Sequence, residues 1–196
     1  MEAVIGTGRT RLPGTLGWKN MFQTLLARMI GAASLRVATY EDVENDTGAT
    51  LPALLVVVLV SAAGGVGALL AGDATATEAL VYGVLRSIVT WAVWALVAWI
   101  VGGYILRTGQ THADWGQLAR GTGFAQTPGL LNLLLFVPGI GGLFAAIAFF
   151  WQLAGMVVAV RQCLDFDSTA RAFFVIVIGA IPVLVINVVI FMAIGI

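Results

Sequence analysis

Long apolar stretches, each at least as long as a membrane crossing, dominate this amino-acid sequence. Residues 51–72, 79–106, 124–164 and 170–196 are almost free of charged side chains. An α-helix needs about 20 apolar residues to cross the ~30 Å hydrocarbon core of a bilayer, and hydrophobic residues make up 60% of the whole chain. The sequence therefore predicts an all-α, polytopic membrane protein and excludes a soluble monomer.

The longest apolar stretch, residues 124–164, predicts two crossings rather than one. A single helix through most of it would be roughly 50 Å long at about 1.5 Å per residue, which is too long for the hydrocarbon core. We expect the chain to reverse at the Pro-Gly-Ile-Gly-Gly sequence of residues 138–142. Five transmembrane helices follow, the third of them kinked at Pro128. Their expected ranges are 51–72, 79–106, 117–137, 143–162 and 170–196.

The placement of basic residues orients these helices. Cytoplasmic loops near a membrane collect Lys and Arg. Basic residues occur here in the N-terminal region and in the second and fourth connections, but not in the first connection, the third connection or the C-terminus. The pattern predicts a cytoplasmic N-terminus and an external C-terminus. We therefore divide the chain into a cytoplasmic N-terminal segment, residues 1–50, and a five-helix membrane domain, residues 51–196.

An amphipathic helix is expected ahead of the membrane domain. From Trp18 onward, apolar residues such as Phe22 recur at helical spacing, while Lys19 and Arg28 lie on the other side. Such a helix lies in the headgroup plane, with its basic residues toward anionic lipid. A second short helix is predicted at residues 40–45.

Two polar sequences are expected to begin later helices. Thr111 and Asp114 have the spacing of a capping box. The Asp-Ser-Thr sequence of residues 167–169 is expected to cap the last helix.

Small residues in the first predicted span indicate a packing face. Ala63, Gly67 and Ala71 recur every four residues, and small side chains at that spacing let another helix approach closely in lipid. An alternative of equal weight is that small residues are simply frequent in this span and form no packing face.

Arg86 lies about two turns inside the second predicted span. It is a functional-site candidate, because an unpaired charge at that depth costs several kcal/mol. The alternative that we favour is that its long side chain reaches the interface and pairs with Asp73 or Glu78.

An acidic cluster precedes the first span and consists of Glu41, Asp42, Glu44 and Asp46. It is either a docking surface for a basic partner or, as we favour, the set of counter-charges for arginines on the same side of the membrane. Those arginines are Arg107, Arg120, Arg161 and Arg171. We expect Arg120 and Arg161 to anchor the cytoplasmic face.

Composition excludes several other functions. Ten basic and ten acidic residues balance, so no net positive field draws the chain to nucleic acid. The single Cys163 and single His112 exclude an intramolecular disulfide and a multi-histidine metal or haem site. No intramembrane protease pattern is present either, so we expect a protein that is not an enzyme and that uses no cofactor or metal.

Several sequence blocks together resemble the Yip1-domain family of polytopic membrane proteins. The first is Tyr40-Glu-Asp-Val-Glu-Asn-Asp-Thr-Gly-Ala-Thr50, directly before the first span. The second, Arg120-Gly-Thr-Gly-Phe-Ala-Gln-Thr-Pro128, contains Phe124 and opens a later span. Trp151, Ala159-Val-Arg-Gln-Cys-Leu-Asp165 and Thr169-Ala-Arg171 resemble the family's pattern around its fourth connection. The resemblance extends from about Ile30 to the C-terminus.

The resemblance implies a five-helix bundle with a cytoplasmic N-terminus. Eukaryotic members are implicated in vesicle trafficking and contact prenylated Rab-type GTPases through their N-terminal region, usually a long hydrophilic domain. This chain is more similar to compact prokaryotic members without that domain. We therefore expect a prokaryotic cytoplasmic (inner) membrane and do not transfer the GTPase role.

Together these features predict a non-enzymatic membrane scaffold or accessory protein that binds other integral membrane proteins or organises lipid. One sharper hypothesis is a subunit of a larger respiratory or photosynthetic complex, with contacts through the tryptophan-rich second span and the small-residue faces; a homo-oligomer is also open. The alternative is a small transporter or lipid-translocating protein with polar side chains along a common path. The candidates for that path, which we expect instead to bridge helices by hydrogen bonds, are Arg86, Thr90, Gln126, Asn132, Gln152 and Asn187.

Overall fold

The computed structural model describes residues 15–111 and 113–194, and every regular element in these ranges is helical. The α-helices are α1 (Thr15–Ala33), α2 (Val37–Asn45), α3 (Thr50–Ala71), α4 (Gly83–Ile100), α5 (Trp115–Ala125), α6 (Gly141–Cys163) and α7 (Thr169–Ile194). Short π-helical turns, Thr77–Tyr82 and Val101–Ile105, extend α4 at both ends, and a 3₁₀ turn, Thr47–Ala49, leads into α3. A longer 3₁₀ segment, Thr127–Phe136, follows α5. His112 lies outside the described residues.

Four helices in the described ranges are long and apolar enough to cross a membrane. They are Thr47–Ala71, Thr77–Ile105, Gly141–Cys163 and Thr169–Val189. Each overlaps one of the predicted spans along most of its length. Gly72 ends α3 in a left-handed conformation, with φ of 81°, and its N–H caps carbonyls of the last turn.

The third predicted span, residues 117–137, is not one continuous α-helix. The chain leaves α5 at Gln126 and continues as the 3₁₀ segment, whose first turn contains Pro128. Proline has no N–H for an α-helical bond, and the N–H of Gly129 bonds the Gln126 carbonyl at 2.8 Å, a three-residue step. The expected kink at Pro128 is therefore a change of helix type.

The predicted capping box at Thr111 and Asp114 is wrong. Asp114 is itself the N-cap of α5: its carboxylate accepts from the Gln117 N–H at 2.8 Å, and the Gln117 side chain accepts from the Asp114 N–H at 2.8 Å. Thr111 instead bonds Thr108 within the preceding turn. The last helix does begin directly after the Asp-Ser pair, at Thr169.

Some apolar residues of helix α1 pack into the protein core, and others are exposed on the surface. Leu25 and Met29 are buried in the core, whereas Phe22 is 59% exposed and Ile30 is 63% exposed. Trp18 belongs to this helix, and its side chain lies outside the described part of the structure. The helix therefore has an apolar surface beyond the one it packs into the bundle.

Several of the largest fully buried side chains lie at one end of the bundle, where α2 packs against α5 and α6. Tyr40 and Val43 of α2, Leu118 and Phe124 of α5, and Leu164 after α6 are fully buried there. The Tyr40 hydroxyl donates to the Ala32 carbonyl at 3.1 Å. Tyr40 and Val43 belong to the first family-like sequence block, so this packing fixes the block against the bundle.

The indole N–H groups of the tryptophans of the second span all bond within the bundle; Trp91 is buried, and Trp94 and Trp99 are half-buried. The indole N–H of Trp91 donates to the Ala119 carbonyl at 3.0 Å, and that of Trp99 donates to the Ala113 carbonyl at 2.9 Å. Trp94 directs its N–H to the Met156 sulfur at 3.1 Å. Each indole is thus used within the bundle, where its donor is satisfied and its ring fills space.

Candidate functional site

Arg120 of α5 holds α2 onto the helical bundle. The side chain is 5% exposed and donates to the carbonyls of Val43, at 3.2 Å, and of Glu44, with a third contact to the Thr50 hydroxyl at 3.5 Å. Val43 and Glu44 lie in the last turn of α2, whose carbonyls have no partner within the helix. The guanidinium therefore binds the negative end of the α2 dipole rather than a carboxylate.

The expected pairing between the acidic cluster and the cytoplasmic arginines is wrong. Asp42 and Asp46 each bind Arg28 of α1 at 2.8 Å, and this hydrogen bond lowers the pKa of Asp46. Glu41 accepts from the Gln162 amide at 3.0 Å. Arg161 donates to the carbonyls of Phe166 and Asp167, at 3.2 and 3.4 Å. The acidic residues thus tie α1 to α2 and α2 to α6.

Glu44, the remaining acidic residue of the cluster, is buried. It is 9% exposed, and its Oε2 atom has no hydrogen-bond partner among the described residues. Burial, reinforced by the charges of Asp165 and Glu41, raises the pKa of Glu44, while Cys163 and Arg120 act in the opposite direction. A carboxyl whose pKa is higher in the folded state binds a proton more tightly on folding, so it adds stability as the pH falls.

We expect Glu44→Gln to flatten the pH dependence of stability. Because the pKa of Glu44 is raised, its stabilising contribution is complete below the unfolded pKa and is lost as the pH rises through the folded pKa. The melting temperature of the variant should exceed that of the wild type at pH 8, and the difference should shrink toward pH 5. Thermal denaturation in detergent at several pH values measures this. An equal difference in melting temperature at every pH would show that the pKa of Glu44 is the same in the folded and unfolded states.

A cavity of about 620 Å³ with several polar side chains in its lining lies between the helices toward the other end of the bundle. The six side chains that the sequence analysis named as candidates for a common path all line this one cavity. They are Arg86, Thr90, Gln126, Asn132, Gln152 and Asn187. They come from α4, the junction after α5, the 3₁₀ segment, α6 and α7. Five separate parts of the chain therefore converge on one site.

Four of these side chains also bridge helices, as expected. The Gln152 amide donates to the carbonyl and to the side-chain oxygen of Gln126, at 3.1 and 2.9 Å. The Thr90 hydroxyl donates to the Asn187 side chain at 3.2 Å. Arg86 and Asn132, by contrast, make no side-chain hydrogen bond or ion pair with any described residue. Their donors are available to a molecule in the cavity.

Further polar residues of the lining, among them Ser61, Glu78 and Ser87, were not among the path candidates named from the sequence. Both serine hydroxyls bond the carbonyl four residues earlier in their own helices, at 2.7 and 2.9 Å. Glu78 and Arg86 are eight residues apart, a spacing that places them on one helical face. This spacing could have identified Glu78 from the sequence as a neighbour of Arg86 in the same site. Glu78 accepts from the N–H and hydroxyl of Thr75, at 2.8 and 2.6 Å. The expected ion pair of Arg86 with Asp73 or Glu78 does not form.

The small residues of α3 bring the 3₁₀ segment close. Gly67 is buried, and a Cβ atom there would lie closer than 3.0 Å to the Asn132 carbonyl oxygen. Ala63 is half-buried and Ala71 is exposed. The packing face within the chain is thus centred on Gly67, and Gly129 of the 3₁₀ segment packs similarly between Val60 and Gln152.

A family model described as Yip1 domain matches residues 35–190 of the 196-residue chain. The chain belongs to the Yip1-domain family. The match includes α2, α3, α4, α5, the 3₁₀ segment, α6 and most of α7, so the cavity and the Arg120 contacts both belong to the Yip1 domain. A search of curated proteins returns no significant match, and neither does a search of solved structures.

The Yip1 domain thus carries two sets of polar contacts with different chemistry. At the α2 end, the side chains of the first family-like block are used for internal packing and hydrogen bonds. In the cavity, one guanidinium, one carboxylate and several amides and hydroxyls face a common space. Within residues 15–111 and 113–194, no three His, Cys, Asp or Glu side chains are grouped as in a metal site. The lining therefore offers hydrogen-bond donors and acceptors and two opposite charges to a molecule in the cavity.

Proposed function

We propose that this Yip1-domain protein is a non-enzymatic membrane protein that holds the polar part of a lipid in the cavity between its helices. In this way it organises lipid, within the scaffold or accessory role expected from the sequence. The observation that carries the proposal is the convergence of six intramembrane polar side chains on one cavity of about 620 Å³. Ligand pockets commonly have volumes of about 300–1,000 Å³ and a few convergent polar groups.

The chemistry of the lining favours binding over catalysis. The lining contains no histidine or cysteine, and it has one carboxylate, Glu78. Hydrolytic intramembrane catalysis needs a nucleophile with an adjacent base, or paired carboxylates. Amides, hydroxyls and a guanidinium supply hydrogen bonds to an oxygen-rich group without reacting with it.

We also propose five membrane crossings, with α5 and the 3₁₀ segment together forming the third. At rises of about 1.5 and 2.0 Å per residue these two elements extend for roughly 36 Å, enough for the ~30 Å hydrocarbon core. The distribution of arginines supports a cytoplasmic N-terminus and an external C-terminus. Under this topology Arg120 and α2 lie at the cytoplasmic end of the bundle, and Glu78 lies toward the other leaflet.

Helix α1 would then contact the cytoplasmic leaflet. Phe22 and Ile30 are exposed apolar residues, and an interfacial helix buries such side chains at the boundary of headgroups and acyl chains. Other integral membrane proteins, including subunits of a larger complex, or a second copy of the chain would bind the outer apolar faces of the bundle. Co-purification from native membranes in mild detergent, in fixed ratio, tests the accessory role.

Filling the cavity should remove bound lipid while leaving the fold intact. Gly64 lines the cavity, and a Cβ atom there would meet only the Asn132 Cβ, at an ordinary 3.5 Å. We expect Gly64→Leu to lower the lipid retained by the purified protein about ten-fold, which corresponds to about 1.4 kcal/mol of binding free energy. Native mass spectrometry of the detergent complex measures the retained lipid.

Gly142→Leu is the matched control for this substitution. Gly142 lies in the first turn of α6, outside the cavity lining, and a Cβ atom there meets no other atom within 4 Å. It adds the same side chain without entering the cavity, so retained lipid should equal that of the wild type. Equal retention in both variants would locate the lipid elsewhere and would overturn the proposed function.

Lipid translocation or transport is the second candidate function. It is favoured by the path of polar residues from Glu78, near the start of its helix, to Gln152, midway along α6. Polar groups at such depth mark substrate pathways in many membrane proteins. Reconstituted vesicles with fluorescent lipid in one leaflet test it: transfer that Gly64→Leu blocks and Gly142→Leu does not would establish translocation.

A further inference from the structure

The cavity contains one formal positive charge and one formal negative charge. Arg86 and Glu78 both line it, and the other polar groups of the lining are hydroxyls, amides and an indole, all neutral. The two charged residues lie about two helical turns apart, Glu78 in the π-helical turn and Arg86 in α4. They do not pair with each other, since both ion pairs of the described residues are made by Arg28.

The two charges differ in how they are held. The Glu78 carboxylate is fixed by Thr75, which donates two hydrogen bonds to its Oε2 atom, so its Oε1 atom can accept from a ligand. The Arg86 guanidinium has no partner among the described residues. A guanidinium presents donors in a fork that matches two oxygens of a phosphate.

Resting on the lipid-binding function proposed above, we propose that the cavity selects the zwitterionic phosphoethanolamine headgroup of phosphatidylethanolamine. Arg86 binds the phosphate, and Glu78 binds the primary ammonium. An anionic lipid such as phosphatidylglycerol satisfies Arg86 but leaves the carboxylate of Glu78 without a counter-charge. That carboxylate then lacks a charge-assisted hydrogen bond, so a ligand with both charges binds best.

The ammonium of the ligand must be a hydrogen-bond donor. A primary ammonium has three N–H groups and donates to the free Oε1 of Glu78. The quaternary ammonium of phosphatidylcholine has no N–H group and is recognised through the faces of aromatic rings. Trp91 and Tyr82 are the aromatic residues of the lining, and Trp91 is 5% exposed with its N–H bonded to Ala119. A cage of several rings is not formed by these two, which favours ethanolamine over choline.

The test compares lipids with identical acyl chains on the purified full-length chain. Native mass spectrometry in mild detergent should show phosphatidylethanolamine retained about ten-fold more than phosphatidylglycerol or phosphatidylcholine. Arg86→Gln should lower retention of all three lipids. Glu78→Gln keeps an oxygen acceptor for Thr75 and should abolish only the preference for phosphatidylethanolamine.

Matched charge changes outside the cavity serve as controls. Asp73→Asn and Arg107→Gln remove the same charges from the first and second connections and should leave the preference unchanged. If Arg86→Gln and Glu78→Gln behave like these controls, the inference is overturned. If the wild type retains all three lipids equally while Gly64→Leu still releases them, the cavity binds lipid without this selectivity, and only the further inference fails. If no lipid is retained by the wild type, the proposed function fails with it.

Soluble phosphoethanolamine distinguishes a lipid from a free headgroup. We expect retained phosphatidylethanolamine to persist in an excess of the soluble compound, because the acyl chains add binding to the apolar surroundings. Displacement at millimolar concentration would assign the cavity to a small zwitterion and would overturn the lipid assignment.

Discussion

Arg120→Ala should destabilise the protein by about 3 kcal/mol, which corresponds to a fall of roughly 6–12 °C in melting temperature. The substitution leaves the carbonyls of Val43 and Glu44 buried at the end of α2 without their donor. Each buried polar group that loses its partner costs about 1–3 kcal/mol. Thermal denaturation in detergent, followed by circular dichroism, measures the change.

Arg161→Ala is the comparison for this variant. Arg161 is half-buried and donates at 3.2 and 3.4 Å to carbonyls of its own connection, which water can reach after the substitution. Its cost should stay below about 1 kcal/mol. Equal melting temperatures for Arg120→Ala and the wild type would mean that α2 does not depend on this arginine.

Gly67→Ala should cost about 1–3 kcal/mol or more. The added Cβ would be directed at the carbonyl oxygens of Asn132 and Leu133. These are backbone atoms of a packed segment, so relief requires α3 and the 3₁₀ segment to move apart. The melting temperature in detergent should fall accordingly, by several degrees.

Gly64→Ala, one turn earlier on α3, is the matched control. Its Cβ would contact the Asn132 Cβ at 3.5 Å, an ordinary van der Waals distance, so its melting temperature should stay close to that of the wild type. If both alanine variants melt at the wild-type temperature, α3 and the 3₁₀ segment do not pack closely at Gly67.

The apolar helices were predictable because their signal is local. A run such as residues 51–72 is membrane-length and uncharged, and it needs no knowledge of its neighbours to be recognised. The reversal at residues 138–142 followed from length alone, since one helix would exceed the bilayer. The individual polar candidates of the cavity were also recognisable, because a residue such as Gln126 or Asn187 is unusual in an apolar segment.

Features that depend on tertiary neighbours were not predictable. The acidic cluster was expected to bind later arginines, but α1 lies against α2 and brings Arg28 closer. Arg120 proved to bind carbonyls, and no sequence pattern distinguishes a carbonyl-binding arginine from a carboxylate-binding one. At the start of α5, Thr111 and Asp114 had the correct spacing, but Asp114 and Gln117 had it too, so local spacing alone did not select the cap.

The 3₁₀ geometry of Thr127–Phe136 sets the angular positions of the cavity residues. Three residues per turn place Gln126, Asn132 and Leu135 in one row, and all three line the cavity. At 3.6 residues per turn, Leu135 would lie about half a turn away from Gln126, and the segment would be roughly 5 Å shorter. A change of hydrogen-bond register in this one segment would thus turn side chains out of the cavity and draw its two ends together, a screw motion that needs no hinge between domains.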